Sequence, residues 1–196
     1  MQRSPKLREQ LDKAAAELKA MEASTSFEEL ESHWKDFLSQ LERFWYKSQA
    51  QFSRSPKWKT WKASYQLDRE KDPLLNYLKL ARAAHEHTLD DIAVKTPGSI
   101  GIGAGPTGSG TIRSLTIDKG VISADVTSGT ISIKISPNRI ATLPIKQRGA
   151  DCPPPISHLG VSIDPENVVA LGAAGYAYYD HFLKEAEAYL VTNSDV

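Results

Sequence analysis

Residues 111–136 read TIRSLTIDKGVISADVTSGTISIKIS, and this stretch decides the fold class. Short runs rich in Ile, Val and Thr are punctuated by Asp118-Lys119-Gly120 and Thr127-Ser128-Gly129, the pattern of strands joined by turns. RIATLPI, residues 139–145, follows Pro137-Asn138 and extends it. The expectation is a small antiparallel β-meander within residues 93–150. On both sides the apolar period lengthens from two to between three and four, so the sheet interrupts a helical protein and the class is α+β.

Upstream, Leu7, Leu11, Ala14, Leu18 and Met21 form one helical stripe behind Pro5, which suits a first helical turn. Ser26 and Glu29 have capping-box spacing, and Phe27, Leu30, Trp34, Phe37, Leu41 and Phe44 continue the period. Two antiparallel helices are the simple reading; a coiled coil competes, but the first helix offers only about two heptads. Ser55-Pro56 ends the second helix, and Asp72-Pro73 caps another running to about Thr88.

Downstream, Cys152-Pro153-Pro154-Pro155 suits an extended connector. Asp164-Pro165 repeats the cap-plus-proline signal and opens a last helix to about Leu190. Its stripe contains Val168, Leu171, Gly175, Tyr179, Phe182, Ala186 and Leu190, and Gly172 to Gly175 permit a close helix approach. This helix is expected to return to the N-terminal helices. The organisation is therefore residues 1–92 as the first part of a helical core, 93–150 as the inserted sheet, 151–163 as connector, and 164–196 as the helix completing the core.

The 196 residues carry 24 Lys plus Arg and 24 Asp plus Glu, which excludes a simple polycation and a self-repelling acidic chain. Residues 1–95 hold 17 of the basic and 15 of the acidic groups, so solvated helical faces concentrate there. Cys152 is the one cysteine, which excludes an intrachain disulfide and a multi-Cys metal site. The charged start and the lack of an apolar run of roughly 20 residues predict a soluble, cytoplasmic protein without a membrane partner.

Chemistry concentrates in DPLLNYLKLARAAHEHT, residues 72–88. Arg82 and His87 lie five residues apart near a helix end, about 140° apart on an ideal helix, whereas His85 is about 60° from Arg82. A guanidinium holds phosphate and an imidazole exchanges protons near neutrality, which together are parts for phosphodiester cleavage. The competing reading is a structural network of Arg82, His85 and Glu86, in which Arg82 and Glu86 form a surface ion pair.

An all-helical core, a penultimate helix carrying Arg-x4-His near its C-terminal end, and a following helix resemble the HEPN superfamily. The resemblance covers residues 1–90 and about 164–190; the inserted sheet is outside it. It implies a metal-independent endoribonuclease of a toxin or defence system, acting as a homodimer with no cofactor, its site formed where two motifs meet. Carried over by position, Arg82 and His87 are the motif ends, with His85 as a second candidate for proton transfer. The residue after the arginine, usually polar in the family, is Ala83 here.

From Arg43 to Leu67 there is no acidic residue, and Lys57, Lys59 and Lys62 are interleaved with Trp58 and Trp61. Cations neutralise phosphates and aromatic faces stack on bases, so these five residues are candidate RNA contacts. Equally, Trp58 and Trp61 read as a helical core pair with lysines as its rim. The G-x-G-x-x-G at Gly103, Gly105 and Gly108 precedes a strand-like run and contains Pro106, so a loop between strands fits better than a dinucleotide site. His33, His158 and His181 lack metal-ligand spacing, and no metal is expected. Two functional readings result: a HEPN-like, RNA-directed protein, or a non-catalytic binding or assembly protein whose inserted sheet recognises a protein partner.

Overall fold

The computed structural model describes residues 5–87, 93–96, 99–106, 108–118, 121–136, 139–147 and 150–191. The protein is α+β: four N-terminal helices, small two-stranded antiparallel sheets and a C-terminal helix. It divides into a helical unit, residues 1–95 and 140–196, and a second unit, residues 96–139. Residues 140–150, expected within the insertion, group with the helices because Ile145 is buried in the helical core and the Tyr77 hydroxyl donates to the Leu143 carbonyl at 2.8 Å.

In the helical unit, α1 (Pro5–Ala23) lies antiparallel to α2 (Phe27–Phe52). Gln10 donates to Gln40, while Glu17 meets His33 at 2.8 Å, so partners rise in one helix as they fall in the other. The stripes are buried as their period requires: Leu7, Leu11, Ala14 and Met21 face Trp34, Phe37, Leu41 and Phe44 within one core. The Ser26 hydroxyl accepts from the Glu29 amide at 3.1 Å, and Glu29 reaches back to the Thr25 amide at 3.0 Å, one residue earlier than a standard capping box. Pro56 separates α2 from α3 (Trp58–Lys71). Asp72 accepts from the Leu75 amide at 2.9 Å and so caps α4 (Pro73–His87).

The last helix, α5 (Val168–Ala186), starts three residues later than Pro165 suggests, because Asn167 is its cap and accepts from the Ala170 amide at 3.0 Å. The Asp164 carboxylate instead accepts from the Glu166 amide, closing a local turn before the helix. A π turn, Glu187–Val191, extends it. The helix packs on α1, α2 and α4, with its whole expected stripe from Val168 to Leu190 buried. Gly172 lies against Leu18 and Phe37, and Gly175 against Leu78 and Leu41. The helical core is thus completed by a helix that follows the inserted strands in the chain.

The strands pair differently from a meander, in nested order. β1 (Ala93–Thr96) pairs with β6 (Arg139–Thr142), β2 (Ser99–Ala104) with β5 (Ile131–Ser136), and β3 (Gly110–Asp118) with β4 (Val121–Gly129). A meander would join each strand to the next; here the chain runs out along one side and back along the other. In the second unit this makes a two-stranded ribbon. Thr127-Ser128-Gly129, expected as a turn, lies within β4. The irregularity is on the opposite side, where Gly105 and Ser109 both hydrogen-bond to Thr130. Gly129 has φ 70° and faces the Ser109 carbonyl so closely that a side chain would not fit. The glycine motif therefore ends a strand and forms a loop, and opens no helix.

In the helical unit, β7 (Ile145–Gln147) pairs with β8 (Ala150–Cys152), and β9 (Ser157–His158) pairs with β10 (Val161–Ser162). The β9–β10 turn places Leu159 at φ 47° and Gly160 at φ 81°, the left-handed pair a two-residue hairpin requires. No helix among the described residues is long and apolar enough to cross a membrane.

Candidate functional site

Asp72 starts α4, and the helix continues without interruption through His87, so one rigid element carries the whole Arg-x4-His segment. Ala81 and Ala84 are buried on its inner side, whereas Arg82 and Ala83 are half-buried. The side chains of His85, Glu86 and His87 lie outside the described residues, as does Thr88. The structure thus places Arg82 at the edge of the core and puts the backbone of both histidines in the last turn of α4.

The Arg43 to Leu67 stretch separates into two populations. Trp58 is buried, and its ring lies 5.6 Å from Phe52, 5.8 Å from Trp61 and 6.3 Å from Phe182. Trp61 is half-buried against Tyr65, Phe182 and Tyr189. These rings hold α3 to α5. The lysines form their rim: Lys57 Nζ lies 5.5 Å from the Tyr189 ring centroid, Lys62 Nζ lies 5.7 Å from that of Trp58, and Lys59 is exposed. Trp58 has no open face for a base, and the exposed aromatic of the stretch is Tyr46.

Tyr46 lines a cleft of about 280 Å³ together with Trp45, Gln49, Lys62, Arg69 and Lys79. Arg69, from the last turn of α3, is buried under this cleft. Its guanidinium lies 4.3 Å from the centroid of the Trp45 ring and donates to Glu42 at 2.7 Å. A second cleft, about 380 Å³, lies where α1 begins and α2 ends. Lys6, Lys47 and Arg54 line it with Leu7, Ala50 and Gln51, and among the described residues no carboxylate does. Lys47 is partly engaged, donating to Gln10.

A third cluster joins α4 to the β9–β10 hairpin. The Asp72 carboxylate accepts from His158 Nδ1 at 2.9 Å and from the Leu159 amide at 2.7 Å, in addition to capping Leu75. Burial alone would raise the Asp72 pKa, but these hydrogen bonds and the His158 ring outweigh it and hold the carboxyl below its ordinary value. Beside it, the Tyr178 hydroxyl donates to Asp68 at 3.0 Å, and burial pushes that phenol far up. Tyr178 meets the His158 ring edge-on at 5.9 Å. The cluster fixes the hairpin and its left-handed Leu159.

His33 is held by Glu17, His158 by Asp72, and His181 is exposed; no group of three or more His, Cys, Asp or Glu among the described residues is placed to hold a metal ion. Burial raises the Cys152 thiol, the opposite of what an activated nucleophile needs. Sequence reasoning missed Arg69, Glu42, Asp72 as a hub, and His158. For Arg69, set among Asp68, Glu70, Lys71 and Asp72, there was no signal, nor was there one for His158, which is 86 residues from Asp72. Comparison with protein-family models, with curated proteins and with solved structures gives no match.

Proposed function

We propose that this chain is a HEPN-like, RNA-directed protein that cleaves RNA without a metal, using Arg82 and a histidine at the end of α4. The observation that carries the nucleic-acid part is the cleft lined by Lys6, Lys47 and Arg54, three cations with no acidic lining among the described residues, in a chain whose net charge is zero. Phosphates bind such a cleft through counterion release. The catalytic part is carried by the resemblance. It is supported by the continuity of α4 through His87 and by the return of α5 to the helices beyond the insertion. In this reading His87 moves a proton to or from the ribose 2'-hydroxyl or the departing oxygen, Arg82 stabilises charge on the phosphorane, and His85 is the second proton carrier. Lys57, Lys59 and Lys62 add cationic surface on α3, and Trp58 and Trp61 act by holding that helix in place.

The test is incubation with a panel of RNAs in excess chelator. The expected products carry 2',3'-cyclic phosphate ends, DNA survives, and His87→Ala slows the chemical step by roughly 10²- to 10⁴-fold. Undiminished cleavage by the Arg82→Ala/His87→Ala double variant, or cleavage abolished by chelator, sinks the assignment.

A second reading, a non-catalytic assembly protein, is favoured by a separate observation: the ribbon of the second unit leaves Ile102, Leu115, Ile117, Val126 and Ile133 exposed. RNA cleavage and assembly are compatible in one chain, and the ribbon is taken up next.

A further inference from the structure

The β2–β5 and β3–β4 registers sort the ribbon's side chains by face. Directly opposed residues share a face, and alternate residues along a strand return to it. In the outer segment, Leu115 opposes Ala124 and Ile117 opposes Ile122. The register shifts between Thr111 and Ser114, so that Ile112 opposes Val126 and joins that same aliphatic face instead of alternating to the other one. Ser114 opposite Asp125 and Thr116 opposite Ser123 make the reverse face polar. The inner segment repeats the division, with Ile102 opposite Ile133 and Ala104 opposite Ile131, against Gly101 opposite Lys134 and Gly103 opposite Ser132. Arg113, the unpaired residue of the bulge, lies 3.8 Å from Asp125, which stands on the polar face.

The aliphatic side is left open. Leu115 is 39% exposed, Ile117 54% and Val126 38%, values far above those of core residues. With Ile102 and Ile133 in the inner segment, the open aliphatic surface is on the order of 400 Å², the size at which an apolar patch on a monomer marks an interaction site. A two-stranded ribbon without a covering layer is at best marginally stable in water.

We propose that the aliphatic face of this ribbon packs face to face on the same face of a second copy of the chain. The paired positions of this face carry no charge in the outer segment, so they neither repel a second copy nor demand an oppositely charged partner. Two such faces would stack as the layers of a small β-sandwich, about 10 Å apart. With the half-buried Ile112, Ile122 and Ile131, two copies would bury at most about 1,000 Å² in total, the lower bound of a specific interface. A twofold arrangement satisfies both copies at once and closes. The proposal rests on the ribbon alone; a dimer formed instead where two α4 motifs meet, as the HEPN resemblance implies, would keep its mass in the aliphatic-face variants.

The experiment is sedimentation equilibrium of the full chain at micromolar concentration, with far-UV circular dichroism to confirm folding. The wild type should have twice the mass of Leu115→Lys/Ile117→Lys, with the dissociation constant of the assembly raised at least about thirtyfold, as loss of central hot-spot residues requires. Thr116→Lys, between the two on the reverse face, should leave assembly intact. Should the double variant lose its fold, Val126→Lys on the partner strand of the same face provides the same comparison. A monomeric wild type overturns the proposal. So does an assembly whose mass survives the aliphatic-face substitutions, or one that Thr116→Lys disrupts equally; a partner of different sequence on this face corresponds to the monomeric outcome.

Discussion

A methyl group added at Gly175 tests whether α5 closes the helical unit as described. The β-carbon of Gly175→Ala would stand 2.5 Å from Leu78 Cδ1, against an optimum near 3.5 to 4.0 Å, so the leucine must retreat by about 1 Å or more. Leu78 is 4% exposed and has core on every side, and forcing such a shift costs about 1–3 kcal/mol. Alanine returns about 0.5–1 kcal/mol of helix propensity, leaving a net loss of about 1–2 kcal/mol. Gly172→Ala is the internal control. Its added carbon would meet Leu18 Cδ1 at 3.0 Å, and Leu18 is only partly buried and can turn away. The control should therefore fall within about 0.5 kcal/mol of wild type, its propensity gain offsetting the contact. In thermal unfolding followed by circular dichroism, the two variants should differ by roughly 3–6 °C. Leu78→Ala should cost less in the Gly175→Ala background than alone, because the clash it relieves exists only there. Equal stability of the two glycine variants, together with strict additivity with Leu78→Ala, would refute the close α4–α5 approach.

Three further outcomes follow from the site geometry. Arg69→Ala should destabilise by about 3–5 kcal/mol because it strands the buried Glu42, whereas Arg69→Met with Glu42→Leu should recover most of that loss in urea unfolding. Asp72 has a folded pKa below its unfolded value, so its stabilisation is complete above the ordinary carboxylate range and is lost as pH falls through the folded value. Asp72→Asn should therefore cost about 1–3 kcal/mol at pH 7, measured by urea unfolding, and flatten the acid limb of the stability curve; parallel wild-type and variant curves would count against it. Replacing Lys57, Lys59 and Lys62 together with Gln should weaken RNA binding and reduce the salt slope by up to about 3, read from binding isotherms at several salt concentrations; an unchanged slope assigns these lysines to the rim of the aromatic core alone.

The helical unit was legible because burial there follows a period that sequence carries openly. Leu7 to Met21 and Val168 to Leu190 are stripes, and each stripe has a face to fill. Pro56, Asp72 and Pro73 mark their boundaries through backbone chemistry that acts locally. The α5 start was misplaced by three residues for a local reason too: Asp164 and Asn167 can each cap, and the downstream one does. Charged residues were less legible. Glu42 and Arg69 look like solvated helix surface, yet the α2–α3 packing brings them together 27 residues apart and removes both from water. Trp58 and Trp61 were readable either as a core pair or as a stacking platform, and only their rings' neighbours separate the two.

The pairing order of the strands was hidden for a different physical reason. A left-handed glycine serves equally at a hairpin turn and at a bulge, so Gly129 alone does not say whether the chain reverses or continues. The answer depends on Thr130, which hydrogen-bonds to both Gly105 and Ser109 on the other side of the ribbon. Continuation gives β5 and β6 partners far earlier in the chain, β2 and β1, and denies each strand a second neighbour. In a meander the inner strands would have shared their apolar faces with a wider sheet, and a helix could cover it. In a two-stranded ribbon the same isoleucines remain open to solvent on a layer too narrow to shield them. The alternation that identified the strands therefore also specifies the interaction surface, once the nested pairing is known.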